Sequence, residues 1–246
     1  MEEFRANNIL IKLIDSEEEK QKIYKLRYEN LILDYNINNI NELGIDKDIY
    51  DDCCDHIIAI DITTNEVVGG YRLISSEHIK NIGKFLTEKE FNIDKLKSSG
   101  KRILELGRAV VDNRYRDGFV INLLWKAVIK YAVSYNMDYM IGTASFHGTD
   151  PDSYKNCFLN LYQNYLSSEN IRAQALNPCY KFGSFNGVLD DVLAKDETPP
   201  LVKGYLRLGA TIGNDAFIDY HFNSIDVLIS LEIKKINPRY LKRYLE

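Results

Sequence analysis

Glu105 and Arg108 are charged residues inside the apolar run Ile103-Leu-Glu-Leu-Gly-Arg-Ala-Val-Val111. A buried charge is costly unless it is paired or put to use, so two readings compete. Glu105 is either a structural partner of Arg108 or Arg72, or a working base beside a cation. Three apart on a regular strand, Glu105 and Arg108 would point to opposite faces; a bulge or a splayed end would bring both to one cleft. Just downstream, Arg114-Tyr-Arg-Asp-Gly-Phe-Val120 sets Arg114, Arg116, Gly118, Phe119 and Val120 ahead of Leu123, Leu124, Ala127, Val128 and Tyr131, which recur at helical spacing. A helix N-terminus offers unpaired backbone N–H groups and the positive end of its dipole, so a phosphate or pyrophosphate suits such a loop. Its glycine matches neither G-x-x-x-x-G-K-S/T nor G-x-G-x-x-G. An ordinary strand-to-helix connection with solvated arginines is the plain alternative.

Arg72 follows Gly69-Gly70, where small residues let backbone or ligand approach closely. Together with Arg108 it could hold a substrate carboxylate in the forked geometry that guanidinium suits. Asp51 and Asp55, four apart, have two readings of equal weight: they receive an ammonium group, or they cap a hairpin and pair with Arg27. His56 and His147 stand alone, without cysteine or carboxylate at metal-ligand spacing, so no metal is expected. Ser145 and His147 lack the G-x-S-x-G elbow of a serine hydrolase.

These residues must be carried by recognisable elements. Asn8–Ile14 reads as a first strand, and Ser16-Glu-Glu-Glu19 as a capping box opening a helix with an apolar stripe at Ile23, Leu26, Leu31 and Leu33. Residues 36–50 read as a loop or short irregular helix facing the cleft. His56–Ile62 and Val67–Ile74 flank polar turn residues and form a hairpin. Residues 75–101 read as helix and loop, 103–111 as a strand, 121–135 as a helix and 138–145 as a strand. Residues 152–198 suggest one helix, Cys157 to Leu166, followed by an irregular crossing. Leu201–Leu208 reads as a helix closed by Gly209, and 217–222 with 225–233 as two final strands. No repeat, Pro-rich linker or low-complexity run divides the chain. The expectation is one α+β domain over 1–246, with 152–198 an elaboration of it.

Composition narrows the function classes. The 246 residues are 45% hydrophobic and 27% charged, as in ordinary globular proteins. A net charge of -5 and a pI near 5.5 argue against nucleic-acid binding. Cys53, Cys54, Cys157 and Cys179 fit neither a zinc ribbon nor a disulfide framework, which suggests a reducing, cytoplasmic setting. No run approaches the ~20 apolar residues of a membrane span, and no signal peptide is expected.

Taken in order, several segments resemble the GNAT acyltransferase superfamily. They are Asp51-x-x-x-Asp55-His56, Tyr71-Arg72-Leu73, Leu104-Glu-Leu-Gly-Arg108, Ala144-Ser-Phe-His-Gly-Thr-Asp-Pro151 and Pro199–Ala210, extended by Asp219 and Phe222-Asn-x-x-Asp226. More narrowly the chain is similar to the ornithine N-acyltransferases of ornithine-lipid synthesis, relatives of the acyl-homoserine-lactone synthases. The resemblance covers roughly residues 20 to 232. It implies a mixed, mostly antiparallel, splayed sheet flanked by helices. It also implies transfer of a 3-hydroxyacyl or other long acyl chain from acyl carrier protein to the α-amine of ornithine or another amino acid. No cofactor would be held permanently; acyl-phosphopantetheine of the carrier, or acyl-CoA, would be co-substrate. The resemblance implies Glu105 as base acting through a water and Tyr205, four before Gly209, as the acid for the leaving thiolate. Arg27, Asp51, Asp55, Arg72, Arg108 and Ser145 would bind substrate, and Arg114, Arg116, Gly118, Phe119 and Val120 would form the phosphate loop. The loop's one glycine is compatible with the single phosphodiester of a carrier protein. Lys234–Leu245, with five basic residues among apolar ones, offers an acidic carrier a positive face, or a peripheral contact at the inner face of a membrane.

Two other functions remain open on sequence. A lactone synthase shares the Arg27, Asp51, Asp55, Arg72, Glu105 and Arg108 pattern, although the first 60 residues here hold no tryptophan, where those enzymes carry one. A GNAT-shaped module binding acyl carriers or lipids without turnover is the alternative from another class; retention of both Glu105 and Tyr205 argues against it.

Overall fold

The computed structural model describes residues 1–33, 42–185 and 187–245. In chain order the elements are β1 (Phe4–Ala6), β2 (Ile9–Leu13), α1 (Glu17–Arg27), β3 (Asp55–Asp61), β4 (Glu66–Ser75), α2 (Ile79–Ile82), β5 (Phe91–Asn92), α3 (Asp94–Ser98), β6 (Ile103–Val111) and α4 (Phe119–Ser134). There follow β7 (Tyr139–His147), α5 (Lys155–Asn164), β8 (Gln174–Ala175), β9 (Cys179–Tyr180), α6 (Asp191–Glu197), α7 (Pro200–Leu208), β10 (Thr211–Ile212), β11 (Ala216–Asp219), β12 (Ser224–Glu232) and α8 (Pro238–Leu245). They form two compact units, Met1–Gly83 with Leu104–Met137 and Leu241–Glu246, and Lys84–Ile103 with Asp138–Tyr240.

In the first unit the strands lie in the order β1-β2-β3-β4-β6, each pair antiparallel. Asn8–Ile14 does form a strand, but as the second arm of a hairpin whose turn holds Asn7 at a φ of 53°. Helix α1 starts at Ser16, whose hydroxyl accepts from Glu19 N at 3.3 Å. The reciprocal half of the capping box is displaced by one residue, since Glu19 Oε2 accepts from Asp15 N at 3.2 Å. Past Arg27 the helix widens into a π-turn over Tyr28–Ile32. Residues 36–41 of the expected cleft-facing loop lie outside the described residues.

Gly69 and Gly70 show why β4 needs small residues. A Cβ on Gly69 would meet Val120 and Leu124 of α4 at 3.0 and 3.1 Å, and one on Gly70 would meet Ile23 of α1 at 2.8 Å. The two glycines let a helix approach each face of the same strand. Ile23, Tyr24, Leu26, Ile58, Ile60, Val67 and Val110 fill the core on the α1 side. Helix α4 begins at Phe119, two residues earlier than the apolar periodicity places it, because Gly118 at a φ of 96° supplies the left-handed cap.

In the second unit the order is β7-β12-β11-β9, with β10 also on β12 and a separate β5–β8 pair. All these pairings are antiparallel, with isolated parallel bridges at Leu166–Ile212 and Gln174–Asn214. The least legible stretch is ordered around rings: Phe158 of α5 packs against Phe146, Tyr180 and Phe182 with centroids 5.0, 5.6 and 5.5 Å away. Helix α6, absent from the sequence reading, is capped by Asp190, which accepts from Val192 N and Leu193 N. Gly209 closes α7 in the left-handed region, as its position implies.

Candidate functional site

The bulge that Glu105 and Arg108 require is present. Across β4 and β6, Gly70 pairs with Val110 and Arg72 with Gly107, so Tyr71 alone faces both Arg108 and Ala109. Arg108 takes up the extra residue at a φ of 51°, a backbone state that non-glycine residues rarely adopt. Below the bulge the register is regular, with Ile74 opposite Glu105 and Arg72 opposite Gly107. Directly opposed residues share a face, and side chains two apart on one strand share a face. Glu105 and Arg72 therefore stand diagonally on the same side of the sheet, with the bare Cα of Gly107 between them.

Arg72 is completely buried, and its Nη1 donates to Asp48 Oδ1 at 2.7 Å and Asp51 Oδ1 at 3.2 Å. Its Nε and Nη2 have no hydrogen-bond partner among the described residues. A Cβ built on Gly107 would lie 3.9 Å from that Nε. Two donor nitrogens of a desolvated guanidinium without acceptors are expensive, and the two oxygens of a carboxylate beside Gly107 would each take one N–H from them.

Around Arg72 runs a connected ionic network. Arg27 donates from Nη1 and Nη2 to the two oxygens of Asp51 at 2.8 and 3.0 Å, and from Nε to Asp46 at 2.9 Å. Arg108 Nε donates to the same Asp46 oxygen at 2.8 Å. His56 Nε2 donates to Asp51 Oδ1 at 3.0 Å. Burial works to raise the Asp51 pKa, but hydrogen bonds from His56 and Arg27 and the charges of Arg27 and Arg72 outweigh it, holding the carboxyl well below the usual range. Asp46 is likewise lowered, burial being overcome by Arg108 and Arg27. Burial pushes the Cys54 thiol far up, so Cys54 rests as a neutral neighbour. Asp51, Cys54 and His56 have ligand atoms within 4.8 Å of one another, yet a metal ion there would meet the guanidiniums that already hold Asp51.

The structure thus brings Arg27, Asp51, Arg72, Arg108 and His56 together and leaves Asp55 apart. Asp55 accepts from Tyr131 Oη at 2.6 Å. Asp51 is occupied by arginines in the way the pairing alternative describes. Sequence reasoning missed Asp46 and Asp48, which tie Arg27, Arg72 and Arg108 into one network. The spacing Asp46-x-Asp48-x-x-Asp51, set against three arginines embedded in apolar segments, was the available signal.

In the loop before α4, Arg114 bonds Asp112 at 2.9 and 3.0 Å and Glu66 at 3.1 Å, while Arg116 donates to Val111 O and Asn30 Oδ1, both at 3.0 Å. Phe119 N is taken by Asp117 Oδ1 at 2.9 Å. The two arginines therefore brace the loop as the structure stands, and a phosphate contact from either would exchange a present partner.

In the second unit Tyr205 lies half-buried on α7, in the last turn before Gly209. Ser145 is exposed on β7 directly opposite Asp226 of β12. The His147 carbonyl accepts from Tyr154 Oη at 2.8 Å. The cysteines Cys53, Cys54, Cys157 and Cys179 are all free. Among the described residues no helix is long and apolar enough to cross a membrane.

Comparison with known proteins bears on the family and the fold. Residues 26–126 match the family model of the acetyltransferase (GNAT) domain. The L-ornithine N(alpha)-acyltransferase of Rhodobacter capsulatus is 33% identical over 209 residues, 83% of this chain and 81% of the relative. The enzyme of the same name from Agrobacterium fabrum is 37% identical over 208 residues, 81% of this chain and 71% of the relative. Among solved structures, the CoA-dependent acyl-homoserine lactone synthase BjaI superposes with a TM-score of 0.57 at 13% identity, covering 95% of this chain and 86% of that one. FeeM, an N-acyl amino acid synthase from uncultured soil microbes, gives 0.54 at 10% identity, covering 92% and 91%. These two share the fold, a GNAT-type, mostly antiparallel sheet flanked by helices. On the sequence relatives, the chain belongs to the L-ornithine N(alpha)-acyltransferase family of GNAT acyltransferases.

Proposed function

We propose that this protein transfers a long acyl chain from the thioester of an acyl carrier protein to the α-amine of ornithine, giving an N-acyl amino acid of the lyso-ornithine-lipid type. The observation that carries the reading is the fully buried guanidinium of Arg72, with two unpartnered donors, diagonal to Glu105 on one sheet face. An α-amino acid presents a carboxylate and an amine one carbon apart, so a carboxylate on Arg72 directs the amine toward Glu105. The names of the relatives support ornithine as the acceptor.

The chemistry follows from those roles. The α-ammonium gives up its proton to Glu105 through a water, and the free amine attacks the thioester carbonyl carbon. The tetrahedral intermediate collapses, the C–N bond remaining and the C–S bond breaking. The attacking nitrogen sheds its remaining excess proton to solvent through the same water as the amide forms. The departing thiolate takes a proton from Tyr205, which solvent restores; the Tyr205 role rests on the Y-x-x-x-G resemblance. Asp46, Asp48 and Asp51 position Arg72 and Arg108, and Arg27 positions the acids. Asp55 and Ser145 are assigned to the acceptor, and Arg114, Arg116, Gly118, Phe119 and Val120 to the carrier's phosphodiester, on the same resemblance. The loop's one glycine is compatible with the single phosphodiester of a carrier protein as donor.

Incubating the purified protein with long-chain acyl carrier protein, the matching acyl-CoA and a panel of amino acids, while measuring free thiol and product mass, tests this. The expected result is thiol release dependent on ornithine and fastest with the carrier protein. A lactone product, or no thiol release with any amine, would overturn it.

A further inference from the structure

Asp226 lies on β12 of the second unit with 3% of its surface exposed. Its Oδ2 accepts from Ser224 Oγ at 3.2 Å, and its Oδ1 has no hydrogen-bond partner among the described residues. Carboxylate oxygens of Glu90 and Asp219 lie with it in a group spanning less than 4.8 Å. Among the described residues, no lysine, arginine or histidine forms an ion pair with Asp226 or Asp219. Asp219 Oδ1 accepts from the backbone N–H of His221 and Phe222 at 2.7 and 2.9 Å. In the first unit's network, by contrast, Asp46, Asp48 and Asp51 each meet a guanidinium.

Burial, and then the neighbouring Asp219 charge, push the Asp226 carboxyl up to about 6 against the opposing pull of the nearby Ser145 and Ser224 hydroxyls. A bound cation would reverse that penalty. The cluster is not sealed. Along β7 the side chains alternate, with Ala144 and Phe146 buried but Thr143, Ser145 and His147 exposed. Asp226 is the register partner of exposed Ser145, so the acids border an open sheet face.

We propose that Asp226, with Glu90, Asp219 and Ser145, forms a site for the side-chain ammonium of a diamino acid acceptor. The proposal rests on the reading of this protein as an amino-acid N-acyltransferase. An ammonium has three N–H donors for these oxygens, and its single charge needs no further ligands. A hard divalent cation takes six or more oxygens and would need solvent waters to complete a shell that these side chains alone do not supply. The site would select ornithine-like acceptors over amino acids with neutral side chains of the same length. A pocket that hydrogen-bonds a substrate group discriminates strongly against the analogue lacking it.

The test compares ornithine with 2-aminopentanoate, which keeps the carbon chain and lacks the terminal amine. Turnover gives the ratio of kcat/KM values, and calorimetry gives binding to the enzyme without donor. The unaltered protein should favour ornithine by about 10²-fold or more. Asp226→Asn should lower that ratio by about 10²-fold while keeping a cooperative melting transition. Ser145→Lys, at an exposed position, should lower it as well by delivering a tethered ammonium to the acids. If Asp226→Asn does not fold, Ser145→Lys decides. A ratio within about threefold of the unaltered protein in the folded variants overturns the site, as does equal binding of the two amino acids by the unaltered protein. Loss of Mn²⁺ binding in Asp226→Asn with the ratio intact would make the cluster a metal site and also overturn the proposal. If no amine is acylated but ornithine binds selectively through Asp226, the site stands and the acyltransferase reading fails.

Discussion

Arg72 stands directly opposite Gly107 across β4 and β6, and its Nε, 3.9 Å from where a Gly107 Cβ would lie, has no hydrogen-bond partner among the described residues. Arg72→Lys keeps the charge and loses the fork, so it should raise the KM for the amino acid by about 10-fold or more and change the donor KM far less. Arg108→Lys should do less, because Arg108 already spends its Nε on Asp46. Initial-rate kinetics with each substrate varied in turn checks this, and equal damage to both Michaelis constants would point to a folding role.

Glu105 is nearly buried on the same face as Arg72. Glu105→Gln preserves shape and removes basicity, and turnover should fall on the order of 10²-fold or more. Tyr205→Phe should slow thiol release without changing amino-acid affinity. Wild-type turnover by a folded Glu105→Gln protein would leave that residue a structural partner.

Asp51 receives Arg27 on both oxygens and Arg72 and His56 on one. Asp51→Asn strands buried guanidinium charge and should cost about 3–5 kcal/mol in urea unfolding at pH 7. The Asp51 pKa is lower folded than unfolded, so its stabilisation is complete above the unfolded value of 3.8 and is lost as pH falls below that toward the folded value. The gap between the natural protein and Asp51→Asn should therefore narrow below about pH 4.

Asp226 predicts the opposite slope. Its folded pKa, about 6, exceeds the unfolded 3.8, so the folded state binds the extra proton between those values and stability falls as pH rises through them. Without ligand, Asp226→Asn should be more stable than the natural protein above pH 6, on the order of 1–3 kcal/mol, and should lack that slope. Urea melts from pH 4 to 8 decide, and parallel curves would show that Asp226 is not perturbed.

The terminal helix α8 and the turn before it expose Lys234, Lys235, Arg239, Lys242 and Arg243. Reversing Lys234, Lys235, Lys242 and Arg243 to Glu should raise the KM for acyl carrier protein and flatten its salt dependence. Turnover with a short acyl-pantetheine mimic should barely change. Equal effects on both donors, or none, would remove the tail as a docking face.

The periodic elements were legible because pattern and cap agreed: the β3–β4 hairpin, α4, β7, α7 with Gly209, and β11–β12 lie where the sequence puts them. What escaped was held by distant contacts. Helix α6 is short and acidic, with little apolar stripe to announce it, and the fold around α5 depends on rings far apart in sequence. The need for a bulge could be read from Glu105 and Arg108, whereas Asp46 and Asp48 sit in a stretch whose composition says only loop. Glu90 stayed hidden because chain order places it far from Asp219 and Asp226.

The network of Arg27, Arg72 and Arg108 with Asp46, Asp48 and Asp51 holds as many carboxylates as guanidiniums. Such a cluster can change over generations only in matched steps. Replacing one member leaves an uncompensated charge, whereas exchanging an acid and an arginine together for apolar residues of similar volume can leave the fold nearly as stable. Selection on folding alone would thus tolerate losing Arg27 with Asp51. An exchange that included Arg72 would be just as tolerable to the fold; on the proposed function it would end recognition of the acceptor carboxylate, so activity rather than stability would hold that arginine in place.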